Sequence, residues 1–185
     1  FNGCSGLTSV TIPDSVTSIE VFAFSDCTNL KNINLPNGLS TISGGTFKNC
    51  RKLSSIVIPE DVTIIGDFAF EGCRRLTNVM FPEILIKIGS GAFTGCNTFT
   101  NVIIPKTVNY IGPSAFSWCE KLTSIEVTKG NTEYVSMGGV LFNSTKTLLV
   151  QFPAGKSDHY TIPDSVTSIG VRAFLGCSGL TSVTI

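Results

Sequence analysis

Seven cysteines and one histidine are the residues of this sequence whose side chains could attack a substrate or hold a metal ion. Thiolates and imidazoles are common nucleophiles and zinc ligands. Zinc sites normally use Cys-x-x-Cys pairs or nearby histidines, whereas here no two cysteines lie closer than 23 residues. The spacing therefore predicts neither a metal site nor a cofactor.

The single histidine, His159, stands just before a predicted strand, with no motif for a nucleophile or a phosphate-binding loop around it. A catalytic triad needs a base placed beside its nucleophile, and one histidine supplies at most one candidate base. We interpret His159 as a polar loop residue, and we predict that the chain is not an enzyme.

The cysteines could instead form disulfides or act as small apolar side chains. If consecutive units stack, the Cα atoms of neighbouring cysteines come within disulfide range. Their Cβ vectors would then run parallel, which is a poor approach for bonding, and seven is an odd number. We favour free thiols buried at a corner of each unit.

The cysteines also reveal how the chain is organised. The first six recur every 23 residues, and proline and phenylalanine keep the same interval, so that each unit reads Cys-x-x-Leu-x-x-Ile-x-Ile-Pro-x-x-Val-x-x-Ile-x-x-x-Ala-Phe-x-x. A short fixed period is typical of a solenoid whose units stack along one core. We predict a single domain over residues 1–185, with regular repeats in 1–127 and 160–185 and an irregular insert in 128–159.

Each unit combines one strand with a return leg. In Ser9–Ile12 apolar and polar residues alternate, which predicts a half-buried strand, and Pro13 ends it. The irregular spacing of Val16, Ile19 and Phe24 favours an irregular or single-turn helical leg over a second long strand. The predicted fold is a strand-dominated α/β solenoid, a right-handed coil of leucine-rich-repeat type with a parallel concave sheet.

The insert contains a second pattern. Two apolar runs, Val140–Phe142 and Leu148–Phe152, flank a polar Asn-Ser-Thr-Lys stretch and predict a β-hairpin. The second run is followed by Pro153, so we expect it to join the sheet as an irregular rung. Asn143 begins an N-glycosylation sequon on the hairpin turn, which matters only in a eukaryotic secreted protein.

Composition argues against several partner classes. Charged residues are only 14% of the chain and the formal net charge is zero, so the long-range field used by binders of nucleic acid or anionic membranes is missing. The apolar runs are too short to cross a bilayer. We predict a protein ligand, no nucleic acid and no membrane insertion. The chain starts and stops inside a repeat without polar caps, so we expect it to belong to a longer protein.

The motif CxxLxxIxIPxxVxxIxxxAFxxC, as in residues 27–50, resembles the BspA-like, or Treponema pallidum type, leucine-rich repeat family. The insert from Gly139 to Pro153 is similar to an element of that family. The resemblance implies a secreted or surface-attached protein, and several members are adhesins that bind host matrix proteins, other bacteria or epithelial cells. The chain departs from the pattern at Thr46, Phe99 and Thr128, where Ala, Leu and Pro are expected.

The outward side chains of the predicted sheet form the candidate ligand face, because repeat proteins bind through such surfaces. The candidates are Asn34, Ser55, Val57, Asn78, Met80, Asn101, Ile103 and Glu126. Three of them, Val57, Met80 and Ile103, make an apolar stripe on an otherwise small and polar face. Exposed apolar patches often mark contacts, although branched residues also stabilise exposed strands.

Charged residues at the two ends of the strands form a candidate rim. The basic members are Arg51, Lys52, Arg74 and Arg75, and the acidic members are Glu60, Asp61 and Glu83. Stacking should place the two signs at opposite edges. Such edges can orient a protein partner, or they can simply keep the turns soluble.

Two functions are compatible with this sequence. The first is a non-enzymatic protein-binding or adhesion module of a secreted or cell-surface protein. The alternative is a structural spacer that presents another domain, because Cys4–Ile12 and Cys177–Ile185 are the same nine residues, CSGLTSVTI. Such a near-identical duplication is typical of a stalk whose length matters more than its face.

Overall fold

Alternating apolar and polar residues before each proline form short strands with one buried and one exposed face. In Ser9–Thr11 the central Val10 faces the core while its neighbours are exposed. A computed structural model describes residues 1–77 and 79–185 as a β-solenoid of about eight turns. Its strands in chain order are β1 (Ser9–Thr11), β2 (Asn32–Asn34), β3 (Thr41–Ile42), β4 (Ile64–Ile65), β5 (Lys87–Ile88), β6 (Asn101–Ile104), β7 (Tyr110–Ile111), β8 (Ser124–Val127), β9 (Tyr134–Met137), β10 (Val140–Asn143), β11 (Leu148–Gln151), β12 (Asp158–Thr161), β13 (Ser168–Ile169) and β14 (Leu180–Thr184).

The strands that carry the Ile-x-Ile motif, here called the front strands, are β1, β2, β6, β8, β12 and β14. They pair in parallel as β1–β2, β6–β8 and β12–β14. Partners are 23 residues apart in the regular part, as in Val10 opposite Ile33. Residues 54–58 and 79–81 do not pair as regular strands, yet the Thr77 amide donates to the Ser54 carbonyl at 3.1 Å. The stacking of units therefore continues between β2 and β6.

A second set of strands lies in the return legs. These back strands, β3, β4, β5, β7 and β13, have two residues each, and the first four form a parallel sheet. Their second residues are isoleucines, and Ile42, Ile65, Ile88 and Ile111 are buried. The irregular apolar spacing did not predict these strands, because two residues are too few to display a period.

The return legs contain no helical turn within the described ranges, so the α/β part of the predicted fold class is wrong. The physical reason is backbone handedness. Each leg has residues with positive φ four positions apart, as at Phe22 (58°) and Asp26 (59°). Such residues interrupt a right-handed helix, and they are costly for side chains other than Gly, Asn and Asp.

Two files of left-handed residues run along the solenoid, one residue per unit in each file. The first file holds Phe22, Gly45, Phe68, Gly91, Ser114 and Arg172, and the second holds Gly3, Asp26, Asn49, Gly72, Gly95, Trp118 and Gly176. In the first file aromatic and glycine residues alternate over four units. A Cβ atom on Gly45 would lie 2.2 Å from the Phe22 ring, and one on Gly91 would lie 2.7 Å from the Phe68 ring. Each of these rings therefore lies over the glycine of the next unit.

The core is built from columns of equivalent apolar residues, one from each unit. Phe24, Phe47, Phe70, Phe93 and Phe116 stack in sequence with ring centroids 5.2–5.7 Å apart. A second column of buried residues holds Leu30, Leu53, Leu76, Phe99 and Leu122. The departures from the repeat pattern fit this core. Phe99 lies against Phe93 with a 37° tilt, and the hydroxyl of buried Thr46 donates to the Ser43 carbonyl at 2.8 Å.

Residues 128–159 interrupt the stack with antiparallel pairing. β10 pairs with both β9 and β11, so three strands stand where the sequence predicted a hairpin of two. β11 was expected to join the sheet of Ile-x-Ile strands, but it pairs in parallel with the back strand β13. Asn143 shapes the turn after β10, since its side-chain oxygen accepts from the Leu148 amide and its side-chain nitrogen donates to Thr145 and Thr147.

Candidate binding surfaces

The candidate ligand face lies on the outside of the front strands and of the segments between them. Its polar members Asn34, Ser55, Asn101 and Glu126 are exposed, and Asn78 lies outside the described residues. In β6 the side chains alternate, with Asn101 and Ile103 exposed and Val102 and Ile104 buried. The pleat of the strand therefore presents the predicted side chains to solvent.

The apolar stripe of Val57, Met80 and Ile103 is open to water. These side chains are 83%, 88% and 57% exposed. Met80 and Ile103 line one shallow groove of about 260 Å³, which Glu83 and Asn101 also line. On the far side of Ile103 the register places Glu126 directly opposite. Three apolar side chains so exposed gain little from burial within the chain, which leaves them free to contact another molecule.

All seven rim residues are exposed. Across the described part of the chain the one ion pair joins Lys48 and Glu71 at 2.7 Å, and neither residue belongs to the rim. The basic rim residues precede the front segments and the acidic ones follow them. Their charges are thus available to a partner rather than neutralised within the protein.

His159 has a serine neighbour but no acid to orient it. Its Nδ1 lies 2.8 Å from the Ser182 hydroxyl, and its Nε2 lies 3.0 Å from the Thr161 hydroxyl. All three side chains are exposed on paired front strands. A hydrolytic triad requires a carboxylate on the second ring nitrogen, and a hydroxyl stands there instead.

The cysteine column is built into the backbone hydrogen bonding of the solenoid. The thiols of Cys27, Cys50, Cys73, Cys96 and Cys119 are buried, and each donates to the carbonyl of a phenylalanine 26 residues earlier at 3.1–3.4 Å. Burial raises the pKa of Cys50 and of Cys119 to about 12. Because the thiolate is the reactive form, these thiols are unsuited to nucleophilic or redox chemistry.

Alkylation should separate the cysteines by burial. In native protein we expect iodoacetamide to alkylate the exposed Cys4 thiol within minutes. The half-buried Cys177 thiol should be alkylated more slowly. The five buried thiols should react only after unfolding in urea without reductant, which should give seven labelled thiols by mass spectrometry. Fewer than seven would mean that disulfides had formed.

An exposed apolar surface along the back strands was not predicted. Ile64 in β4, Ile86 just before β5 and Tyr110 in β7 are 36–43% exposed, and the Lys87 ammonium lies 5.2 Å from the centre of the Tyr110 ring. Ile64 pairs with Lys87, and Lys87 pairs with Tyr110, so these residues are neighbours. The first residues of β4, β5 and β7 lie 23 positions apart and point outward. Had those strands been predicted, this spacing would have indicated the exposed surface.

Among the described residues no helix is long and apolar enough to span a bilayer. No group of three or more His, Cys, Asp or Glu side chains is arranged to hold a metal ion in those same residues.

The whole chain matches the family model for BspA type leucine rich repeat regions, in six copies over residues 1–123, 41–158 and 151–185. A search of curated proteins finds no match. Among solved structures, a leucine-rich repeat protein from Eubacterium ventriosum aligns with a TM-score of 0.86 and 29% identity, over 97% of this chain and 48% of that one.

Two further solved structures extend the likeness. The pneumococcal vaccine antigen PcpA aligns with a TM-score of 0.82 and 24% identity, over 96% of this chain and 50% of that one, and it supports the fold alone. A leucine rich cell surface protein from Faecalibacterium prausnitzii aligns with a TM-score of 0.69 and 27% identity, over 97% of this chain and 61% of that one. The chain thus spans about half the length of the first two structures.

Proposed function

The chain belongs to the BspA-type leucine-rich repeat family, and from this premise we propose that it is an adhesion module that contacts a protein ligand through the outside of its front strands. Leucine-rich repeat domains generally mediate protein interactions and are generally non-enzymatic scaffolds. One neighbour in structure is described as a cell surface protein. The module would therefore be part of a secreted or surface-attached protein and would contact matrix or cell-surface proteins.

The observation that carries this proposal is the exposure of Val57, Met80 and Ile103. Large apolar side chains at the centre of a patch, surrounded by polar groups, are the usual energetic centre of a protein interface. Here Ser55, Asn101 and the exposed rim charges supply that surround. A methionine adapts its shape to the partner, because its side chain has three rotatable bonds.

Serine at all three stripe positions is expected to reduce attachment at least tenfold while leaving the fold intact, because the three side chains contact solvent rather than the core. The measurement is attachment of beads coated with the chain to immobilised fibronectin and collagen and to epithelial monolayers. Circular dichroism and the urea midpoint would verify folding.

The matched control changes polar residues of the same outward phase that lie outside the candidate ligand face, Thr11, Thr161 and Thr184, to serine together. These side chains are also exposed, so the control has a similar number of altered surface positions without loss of apolar area. Equal attachment by the stripe variant and the control would reject the front face as the contact.

The repeated nine residues CSGLTSVTI favour a second candidate, a spacer that presents another domain. In that case neither variant affects attachment, and removal of two adjacent units changes only the reach of the protein. The stripe experiment therefore also discriminates between the two functions.

A further inference from the structure

A polar groove of about 330 Å³ lies away from the front strands, on the second file of left-handed residues. Its floor runs from Asn49 across Gly72 and Gly95 to Trp118. Backbone hydrogen bonds stack these units directly, since the Asn49, Gly72 and Gly95 amides donate to residues of the following units at 2.6–2.9 Å. With about 4.8 Å between stacked strands, the groove is about 14 Å long.

Trp118 is the exception in its file, and its ring lies beside Gly176 of the following unit, where an added Cβ atom would come within 3.1 Å of the indole. Trp118 adopts φ of 58°, and every other residue of its file is Gly, Asn or Asp, the types that tolerate this conformation. Its side chain is nevertheless 47% exposed, so burial does not offset the strain. Strained, exposed residues of this kind concentrate at ligand sites. Gly72 and Gly95, which line the groove together with Trp118, add no side chain to its floor.

The wall of the groove carries one hydrogen-bonding side chain from each of three successive units, two residues after the floor residue of that unit. These side chains are Arg74, Asn97 and Glu120. Within residues 1–77 and 79–185 none of these side chains makes a hydrogen bond or ion pair to protein. The opposite wall includes Glu71, whose carboxylate is already paired with Lys48 at 2.7 Å. One cation and one anion, Arg74 and Glu120, thus remain available, and the charges balance once Lys48, which neutralises Glu71 from outside the groove, is counted.

We propose that this groove binds a neutral carbohydrate. A pyranose ring offers an apolar C–H face that packs on an indole ring, and hydroxyl groups that accept from Arg and Asn and donate to Glu. The balanced charge disfavours phosphate or sulfate ligands, which require clustered cations. A quaternary ammonium ligand would need an aromatic cage, and one aromatic ring lines this groove among the described residues. The volume lies at the lower end of the range for small-ligand sites, about 300–1,000 Å³.

The groove shares the rim residue Arg74 with the proposed protein contact, but Val57, Met80 and Ile103 do not line it. Loss of the Trp118 side chain should therefore leave attachment through the stripe unchanged. The module would then bind glycans along one side while its front strands contact protein.

Trp118 is the only tryptophan of the chain, so its fluorescence reports directly on the groove. We expect a saturable change in emission on titration with at least one of maltohexaose, cellohexaose, chitohexaose and a soluble poly-N-acetyllactosamine, at millimolar or lower concentration. The same chain on an array of neutral glycans should give matching signals. No response from any of these, or a response to choline alone, would overturn the proposal.

The decisive variant is Trp118→Gly, because glycine already occupies this file at positions 72, 95 and 176 and relieves the backbone strain. The variant should fold with an unchanged or higher urea midpoint and should bind the responding oligosaccharide at least tenfold more weakly by calorimetry. Phe22→Gly is the matched control, since Phe22 is also left-handed and 45% exposed but lies outside the groove. Full affinity in Trp118→Gly, or equal loss in both variants, would contradict the site.

Discussion

Replacing Phe70 by Ala is expected to lower the free energy of unfolding by about 3–5 kcal/mol. The Phe70 side chain is fully buried, and its ring stacks on Phe47 at 5.3 Å and on Phe93 at 5.2 Å. Truncation would leave a cavity between two flat neighbours that are fixed by their own units, so collapse cannot refill it. Urea unfolding followed by circular dichroism measures the loss.

The control for Phe70 is Phe68, two residues earlier and 43% exposed. Its ring lies under the Lys48 ammonium at 5.4 Å, an exposed contact that is worth about 0.5–1 kcal/mol. Phe68→Ala should therefore destabilise the chain by about 1 kcal/mol or less. Similar losses for the two variants would show that the buried stack does not hold the units together.

Stability should fall steeply as the pH rises above about 9, because the cysteines are protonated in the folded chain. Burial raises the pKa of Cys50 and Cys119 from 9.0 to about 12, and it raises the pKa of Cys73 and Cys96 well above 9.0. Unfolded thiols lose their protons near pH 9, whereas the folded thiols keep them. The unfolded state therefore binds fewer protons, and stability that is complete below pH 9 is lost as the pH approaches 12.

Each thiol contributes about 1.4 kcal/mol per pH unit within this window, so these four give about 5 kcal/mol per unit, and Cys177, whose pKa burial raises to about 11, adds to the slope. Urea midpoints at pH 7, 8, 9, 9.5 and 10 would measure the slope. Cys73→Ala should lower it by about 1.4 kcal/mol per unit, while Leu76→Ala, an equally buried change without a titrating group, should lower stability at every pH and leave the slope unaltered. A flat profile to pH 10 would refute the account.

The repeat period made much of the architecture predictable from the sequence. Residues that recur every 23 positions with identical types, such as Phe47, Phe70 and Phe93, can be buried together only if the units stack in register. The same period placed Met80 and Ile103 on the outside, because side chains alternate along a strand. Family membership followed from the same residues.

What the sequence did not predict depends on backbone conformation rather than on hydrophobic pattern. Nothing in the types of Phe22 or Trp118 indicates positive φ, since both residues disfavour it. The left-handed conformation is imposed by the stacked neighbours, and it replaces the expected helical turn with two bends. For the same reason the sequence did not predict the groove beside Trp118. The one available signal was the residue type, because Trp118 occupies a repeat position that otherwise holds Gly, Asn or Asp.

The alternation of Phe22, Gly45, Phe68 and Gly91 means that adjacent units are not interchangeable. An aromatic ring at position 45 would occupy the space that the Phe22 ring already fills, and two successive glycines would leave bare backbone between turns. In this stretch the element that can be deleted or duplicated with neither a clash nor bare backbone is therefore a pair of turns rather than a single one. Lengthening or shortening the molecule here should proceed in steps of 46 residues, twice the period of the motif.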